Sequence, residues 1–166
     1  MPINHLTAIM NNEEEIKNVF VSHYHKDEEN IKNLKDLLSD EYCIKNYSVT
    51  TEKYNEAKNE DYIKYEYLKP LINQSSVLIC LIGPETHDSK WVDWEIREAE
   101  KLGKQIIGVY IRGASDSDVP PALNELADSI VGWNKDNIIR AIEGNSSFVN
   151  ANGTPRTSVS GGRVTC

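Results

Sequence analysis

The sequence predicts an α/β domain in which helices cover both faces of a five-stranded, mainly parallel sheet. Three observations support this fold class. Short β-rich segments alternate with segments of helical periodicity, as in βαβ units joined by right-handed crossovers. The run Val77–Ile82 is uniformly apolar, as expected for a central strand that is buried on both faces. At 166 residues, the chain is long enough for one sizeable core and too short for two ordinary domains.

The first half of the chain predicts strand, helix, strand and helix. Residues 18–22 are β-rich, and the helix that follows has Asp27 as a candidate N-cap. A second strand is predicted at residues 47–51, which are rich in β-branched and aromatic residues, with a polar loop at residues 52–60. Helical spacing then returns. The apolar residues that mark this second helix are Ile63, Tyr67 and Leu71.

The second half of the chain continues the same alternation after the apolar run. The predicted elements are a helix at 90–102, a strand at 105–111, a short helix at 120–127, an edge strand at 129–132 and a last helix at 135–142. From Gly144 onward the composition turns to Asn, Ser, Gly, Thr and Pro without periodicity. We therefore expect a leader at residues 1–17, one domain at residues 18–143 and a flexible tail at residues 144–166.

Composition excludes several classes of function. The net charge of −8 and the isoelectric point near 5.0 oppose binding to nucleic acid or to anionic membranes. No apolar run approaches the roughly 20 residues that span a bilayer, and no signal peptide is recognisable, so we expect a cytoplasmic protein. The three cysteines form no CxxC motif, and the pair His23 and His25 has no third ligand nearby. We expect no metal site.

One carboxylate in the helix at 90–102 lies outside its polar face. At about 100° per residue, Glu95 falls between the apolar stripe and Trp91. Such a carboxylate must be paired, hydrogen-bonded or shifted in pKa, and these positions are enriched in functional groups. A salt bridge at the helix margin is the structural alternative. The predicted N-cap is Asp88 or Ser89, and the predicted polar face comprises Asp93, Arg97, Glu98, Glu100 and Lys101.

The position of this helix favours the functional interpretation of Glu95. Five alternating strands predict a flavodoxin-like order, in which ligands bind outside the carboxyl ends of the strands where the strand order reverses. In this chain that edge comprises residues 22–27, the loop after residue 51 and residues 83–89. Because the helix begins at the same edge, Glu95, about one turn inside it, can face a crevice there.

The chain resembles Toll/interleukin-1 receptor (TIR) domains over residues 18–143. Within them it is most similar to the bacterial TIR-like group of Thoeris anti-phage (ThsB-like) proteins. The likeness lies in two strands and one helix start, and the Ser-x-Trp-x3-Glu-Ile segment is its most specific part. The matching segments are Val19-Phe-Val-Ser-His-Tyr24, Ser76-Val-Leu-Ile-Cys-Leu-Ile-Gly-Pro84 and Ser89-Lys-Trp-Val-Asp-Trp-Glu-Ile96.

The resemblance implies a catalytic residue and a set of substrate-binding residues. By position, Glu95 is the glutamate that cleaves NAD⁺ between ribose and nicotinamide in enzymatic TIR domains. NAD⁺ is then the substrate, and no cofactor is needed. The implied substrate-binding residues are Ser22, His23, Tyr24, Trp91, Glu52 and Tyr54. The first-strand exit departs from the common aromatic-x-Ser-Tyr pattern, because His23 follows Ser22.

The resemblance thus implies an NAD⁺ glycohydrolase or cyclase that releases nicotinamide and makes an ADP-ribose-type signalling nucleotide in bacterial anti-phage defence. We expect it to self-associate and to act on a separate effector protein through its product. Two alternatives remain: a non-catalytic TIR adaptor acting by homotypic assembly, and a nucleoside deoxyribosyltransferase-like enzyme. A phospho-receiver would need clustered aspartates after strands one and three, and a dinucleotide oxidoreductase would need GxGxxG; the chain has neither.

Overall fold

The computed structural model describes residues 17–47 and 59–156, and within them five parallel strands form one sheet. The strands are β1 (Asn18–Ser22), β2 (Cys43–Tyr47), β3 (Val77–Ile82), β4 (Gln105–Tyr110) and β5 (Ser129–Val131). They lie in the order β2-β1-β3-β4-β5, which confirms the predicted flavodoxin-like order. β3 is buried along its whole length, so the apolar run is a central strand.

Helices pack on both faces of this sheet. In the described residues the α-helices are α1 (Glu28–Leu38), α2 (Lys69–Gln74), α3 (Lys90–Lys101), α4 (Pro121–Leu126) and α5 (Lys135–Ile142). α1 and α5 share one apolar cluster with the sheet, and α2, α3 and α4 share the other. Side chains alternate along a strand, so Val19 and Val21 face α1 whereas Phe20 faces α3. The same alternation turns Ser22 toward α3.

The second strand begins four residues before its predicted position. α1 ends at Leu38, and the backbone N–H of Tyr42 donates to the Leu38 carbonyl oxygen at 2.9 Å, so the chain turns back at once. This turn brings Cys43 opposite Asn18 in the sheet. The end of the helix therefore decides where the strand starts. The β-branched composition that predicted residues 47–51 does not decide it.

The helix before β3 has a wider turn than predicted. Tyr62–Leu68 form a π-helix, and the backbone N–H of Lys69 donates to the carbonyl of Lys64, five residues earlier. The wider turn moves the buried face along by one residue. Pro70, which has no N–H, lies in the first turn of α2. The buried side chains are Ile63, Leu68 and Ile72, whereas the predicted set was Ile63, Tyr67 and Leu71.

The flexible tail was predicted to begin at residue 144, but the structure shows residues 145–156 packed against the domain. Residues 145–156 continue along the edge of β5, where the backbone of Ile130 donates to Ser147 and accepts from Val149. The Arg156 guanidinium then donates to side-chain oxygens from β4 and α4. A polar, aperiodic segment can thus be fixed by pairing its backbone with an exposed sheet edge.

Four predicted segments lie wholly or mostly outside the described residues. They are the leader up to residue 16, the predicted second strand at 47–51 except for its first residue, most of the polar loop at 52–60, and the tail beyond residue 156. Lys17, the last residue of the predicted leader, is described, and its ammonium group donates to the carbonyl oxygen of Ile142 at 2.7 Å.

Candidate active site

The carboxyl ends of β1 and β3 lie side by side where the strand order reverses. In the sheet register, Ser22 at the end of β1 pairs with Cys80 in β3. From these ends the chain departs toward opposite faces, since β1 leads to α1 and β3 leads to α3. Parallel α/β sheets bind their ligands at such a position. We refer to residues 22–27 and 83–89 together as the β1–β3 edge.

Glu95 occupies a core position of α3. The helix begins after Ser89, whose side chain accepts a hydrogen bond from the backbone N–H of Val92 at 3.3 Å, which confirms Ser89 as the N-cap. Glu95 lies on the buried face together with Val92, Ile96 and Ala99, and it is 0% exposed. The sequence predicted the margin of the apolar stripe. The structure corrects this position to the interior, because the helix packs directly on β1 and β3.

A hydrogen bond joins Glu95 to the end of β1. The Ser22 hydroxyl donates to Glu95 Oε1 at 2.8 Å, and both residues are fully buried. A hydroxyl that donates to a carboxylate in a buried site holds it in one orientation more strongly than the same contact in water. The structure therefore brings two of the predicted site residues, 73 positions apart, into direct contact.

The two residues after Ser22 differ in burial. His23 is 2% exposed, so its imidazole belongs to the interior of the β1–β3 edge. Tyr24 is half-buried, and the Lys26 ammonium group lies 5.9 Å from the centre of its ring. Both predicted residues thus lie at the candidate site, with the imidazole inside and the phenol toward the outside.

Trp91 lies one turn before Glu95 and packs partly against the core cluster on the α3 face. The Lys64 ammonium group lies 5.8 Å from the Trp91 ring centre and 5.9 Å from that of Trp94, within the range of cation–π attraction. Tyr65 meets Trp94 edge to face at 5.9 Å. These contacts tie the start of α3 to the π-helix and give Trp91 a packing role.

Glu52 and Tyr54, the other two predicted substrate-binding residues, lie outside the described residues. Their place in the site stays a prediction from the family resemblance.

A second carboxylate at the β1–β3 edge, Asp27, was assigned only a capping role by the sequence. Asp27 stands at the N-cap position of α1, but its side chain makes no capping hydrogen bond. It lies instead against the backbone of Gly83, where a Cβ atom would come within 2.4 Å of Asp27 Oδ2. A residue larger than glycine at the exit of β3 would displace the carboxylate. Gly83, directly after the apolar run, is the signal in the sequence that could have indicated this close approach.

Cys80 lies close enough to both carboxylates to feel their charges. Cys80 is 0% exposed and packs in the core cluster as a small hydrophobe. Burial raises the pKa of its thiol, and the nearby charges of Glu95 and Asp27 raise it further. The thiol is therefore a neutral neighbour of the site.

A second buried glutamate on α3 gives a useful contrast. Glu98 was predicted on the polar face, yet it is only 5% exposed. Its two carboxylate oxygens lie 3.5 Å from the Lys69 ammonium group and 3.9 Å from that of Lys101. Glu98 is thus neutralised by lysines at the surface, whereas Glu95 points into the sheet toward a serine.

Two searches within residues 17–47 and 59–156 gave negative results. No group of three or more histidine, cysteine, aspartate or glutamate side chains there is arranged to hold a metal ion. No helix in this part of the chain is both long and apolar enough to cross a membrane.

Comparison with known protein families identifies the domain. The model of the family described as "Thoeris protein ThsB, TIR-like domain" matches residues 20–116, which is more than half of the chain. The chain belongs to this family. The matched region runs from β1 past β4 and contains Glu95 with all six predicted substrate-binding residues.

Other comparisons add little to this assignment. No curated protein matches the chain. Among solved structures, the chain is similar to the Clostridium botulinum CMP N-glycosidase BcmB, with 17% sequence identity and a TM-score of 0.46. The match covers 76% of this chain and 98% of that one.

Proposed function

We propose that this ThsB-type TIR-like domain is an NAD⁺-cleaving enzyme and that Glu95 is its catalytic residue. The observation that carries the proposal is a glutamate held by Ser22 in a core position, beside the strand ends where parallel sheets bind ligands. A fully buried carboxylate in place of an apolar residue costs stability, and such costs are typical of functional sites.

The reaction breaks the bond between the ribose anomeric carbon and the nicotinamide nitrogen. The bonding electron pair leaves with the nitrogen, so the pyridinium departs as neutral nicotinamide and no general acid is required. Positive charge develops on the ribose, and an anionic Glu95 stabilises that charge. Water then adds to the anomeric carbon and loses one proton, which gives ADP-ribose. A nucleophile from within the same molecule, or from a second one, gives a cyclic or conjugated product.

Ser22 positions the catalytic group in this scheme. Its hydroxyl holds Oε1 of Glu95 at 2.8 Å, which fixes the orientation in which the carboxylate meets the ribose. A single carboxylate is enough here, because the leaving group departs uncharged. Most glycosidases need a second carboxyl group to protonate the leaving oxygen.

The fully buried position of Glu95 adds one requirement. Substrate reaches the carboxylate only when the β1–β3 edge opens, so the proposal includes self-association as the step that opens and completes the site. Sedimentation velocity across a range of protein concentrations, with activity measured at each, tests this step. Full activity of a strict monomer would overturn it.

The family assignment also supports a biological setting. We propose that the enzyme acts in the bacterial cytoplasm during anti-phage defence, and that its nucleotide product activates a separate effector protein. The test incubates the purified protein with NAD⁺, with and without lysate from phage-infected cells, and identifies the products by mass spectrometry. Deoxynucleosides offered in parallel test the deoxyribosyltransferase-like alternative.

Two variants of the same helix make this test specific. Glu95→Gln keeps the shape of the side chain and removes its charge, so nicotinamide release should fall by roughly a hundredfold or more. Glu98→Gln makes the same chemical change at a buried position whose partners are lysines, and it should retain turnover. If the folded wild-type protein releases no nicotinamide with or without the lysate, the non-catalytic adaptor becomes the better hypothesis. If Glu95→Gln is as active as wild type, the residue assignment fails.

A further inference from the structure

One ion pair joins the two halves of the β1–β3 edge. The Lys26 ammonium group, in the segment after β1, lies 3.1 Å from Glu85 Oε2, in the segment after β3. The side chains are 62% and 50% exposed, so the contact lies at the surface. Ser22, which belongs to the same edge, and its partner Glu95 on α3 are fully buried. The pair therefore connects the outer parts of the two segments that flank the proposed catalytic carboxylate.

The charges of this edge are poorly matched to the proposed substrate. NAD⁺ carries two negative charges on its diphosphate, whereas the edge carries carboxylates at Asp27, Glu85 and Asp88, with Glu95 nearby. In the sequence of residues 22–27 and 83–89, Lys26 is the only lysine or arginine. Within these two segments the diphosphate of a dinucleotide can pair with Lys26, and in the structure the Glu85 carboxylate is already paired with this lysine.

In the Lys26–Glu85 ion pair, a phosphate group can replace the Glu85 carboxylate. A hydrogen bond to Glu85 and the charge of Glu85 raise the pKa of Lys26, so the ammonium group stays protonated throughout the physiological range. Ion pairs this exposed contribute little to stability and are weakened by salt. A phosphate oxygen accepts the same charge-assisted hydrogen bond as a carboxylate, and an ammonium group serves as a point charge for phosphate. Replacement of one anion by the other therefore requires no new geometry from the lysine.

We propose that Lys26 binds the diphosphate of the dinucleotide and that Glu85 holds Lys26 until the substrate displaces it. This inference rests on the proposed function and extends it to a residue that decides substrate class. Lys26 makes the site prefer a phosphate-bearing substrate to a nucleoside with the same reactive bond. Glu85 competes with the substrate for Lys26, so it lowers the apparent affinity and separates from Lys26 on binding.

The two residues then have opposite effects on NAD⁺ cleavage. Lys26→Met should raise KM for NAD⁺ about tenfold or more with little change in kcat, because it removes a charged hydrogen bond to a group remote from the reacting bond. Glu85→Gln should lower KM about two- to fivefold, because it removes the competing anion. Nicotinamide riboside has the same scissile bond and no phosphate, so neither variant should change its cleavage.

A matched control removes the effect of net charge. Lys32 is an exposed lysine on α1, and Lys32→Met changes the charge of the protein by the same amount as Lys26→Met. KM for NAD⁺ should be unchanged in this control. Both lysines are exposed, so both variants should unfold at the same temperature as wild type.

Binding measurements separate this inference from the proposed function. Inorganic pyrophosphate and ADP-ribose are titrated calorimetrically into wild type, Lys26→Met and Lys32→Met. Weaker binding only in Lys26→Met supports the phosphate site, even if the protein releases no nicotinamide and the proposed function fails. Equal KM and equal binding in Lys26→Met, from a protein that does cleave NAD⁺, overturn the Lys26 inference and leave the function standing. No binding and no cleavage by any variant overturn both.

Discussion

The hydrogen bond from Ser22 to Glu95 predicts a loss of activity that depends on both residues. Ser22→Ala removes the hydroxyl that donates to Glu95 Oε1 at 2.8 Å and leaves the backbone of β1 unchanged. A hydrogen bond to a charged group is worth about 1.5–3 kcal/mol. If the bond positions the carboxylate in the transition state, nicotinamide release should fall by roughly 10- to 150-fold. Loss of the same buried bond should also lower the free energy of unfolding.

The assay is a double-mutant cycle on kcat/KM for nicotinamide release. We expect Ser22→Ala to have its full effect in the wild-type background and little further effect on top of Glu95→Gln, because the hydroxyl acts through the carboxylate. The matched control is Ser129→Ala, which removes another buried serine hydroxyl of the sheet, one that accepts from the backbone N–H of Ser147. This control should lower stability and retain turnover.

Two results would refute the reasoning. If Ser22→Ala retained wild-type kcat/KM while stability fell, the bond would be structural and Glu95 would not depend on it. If Ser22→Ala and Glu95→Gln lowered the rate by factors that multiply, the serine would act on the substrate by a separate route. Thermal unfolding of each variant keeps misfolding distinct from loss of chemistry.

Two further predictions concern stability. Gly83→Ala places a Cβ atom 2.4 Å from Asp27 Oδ2, so the carboxylate must move; unfolding free energy should fall by about 1–2 kcal/mol. The control Gly132→Ala has no heavy atom within 4 Å of its new Cβ, and a similar loss there would contradict the contact. A chain that ends at Gly144 loses the backbone pairing with β5 and the Arg156 contacts, and should be less stable by about 2 kcal/mol than a chain that ends at Arg156. Equal unfolding temperatures of the two chains would show that residues 145–156 contribute nothing.

The fold was predictable because its signals are local and repeated. Alternation of strands and helices indicates a parallel sheet, and the uniformly apolar Val77–Ile82 indicates the central strand. The errors arose where a neighbour overrides local composition. β2 begins at Cys43 because the turn after α1 delivers the chain there. The segment after Gly144 is ordered because the edge of β5 was open to pair with it.

The site was predictable in its position and less so in its partners. A helical angle gives the direction of a side chain from its own axis, and it does not report what lies in that direction. Thus Glu95 was identified as unusual, but its contact with Ser22 depends on how α3 packs on the sheet. Asp27 is a second residue whose partner could not be predicted from its position in the sequence. Its position predicts a helix cap, whereas the carboxylate lies against a glycine 56 residues later.

The two buried glutamates of α3 differ in their partners, and this difference supports Glu95 as the proposed catalytic carboxylate. Both lie on one helix, three residues apart, and both are almost fully buried. Glu98 meets two lysines, so its charge is neutralised where it lies. Glu95 receives a hydrogen bond from a serine hydroxyl, which orients the carboxylate. A carboxylate that is oriented beside the strand ends can stabilise a substrate that becomes positive there, and we therefore propose that Glu95 carries the chemistry.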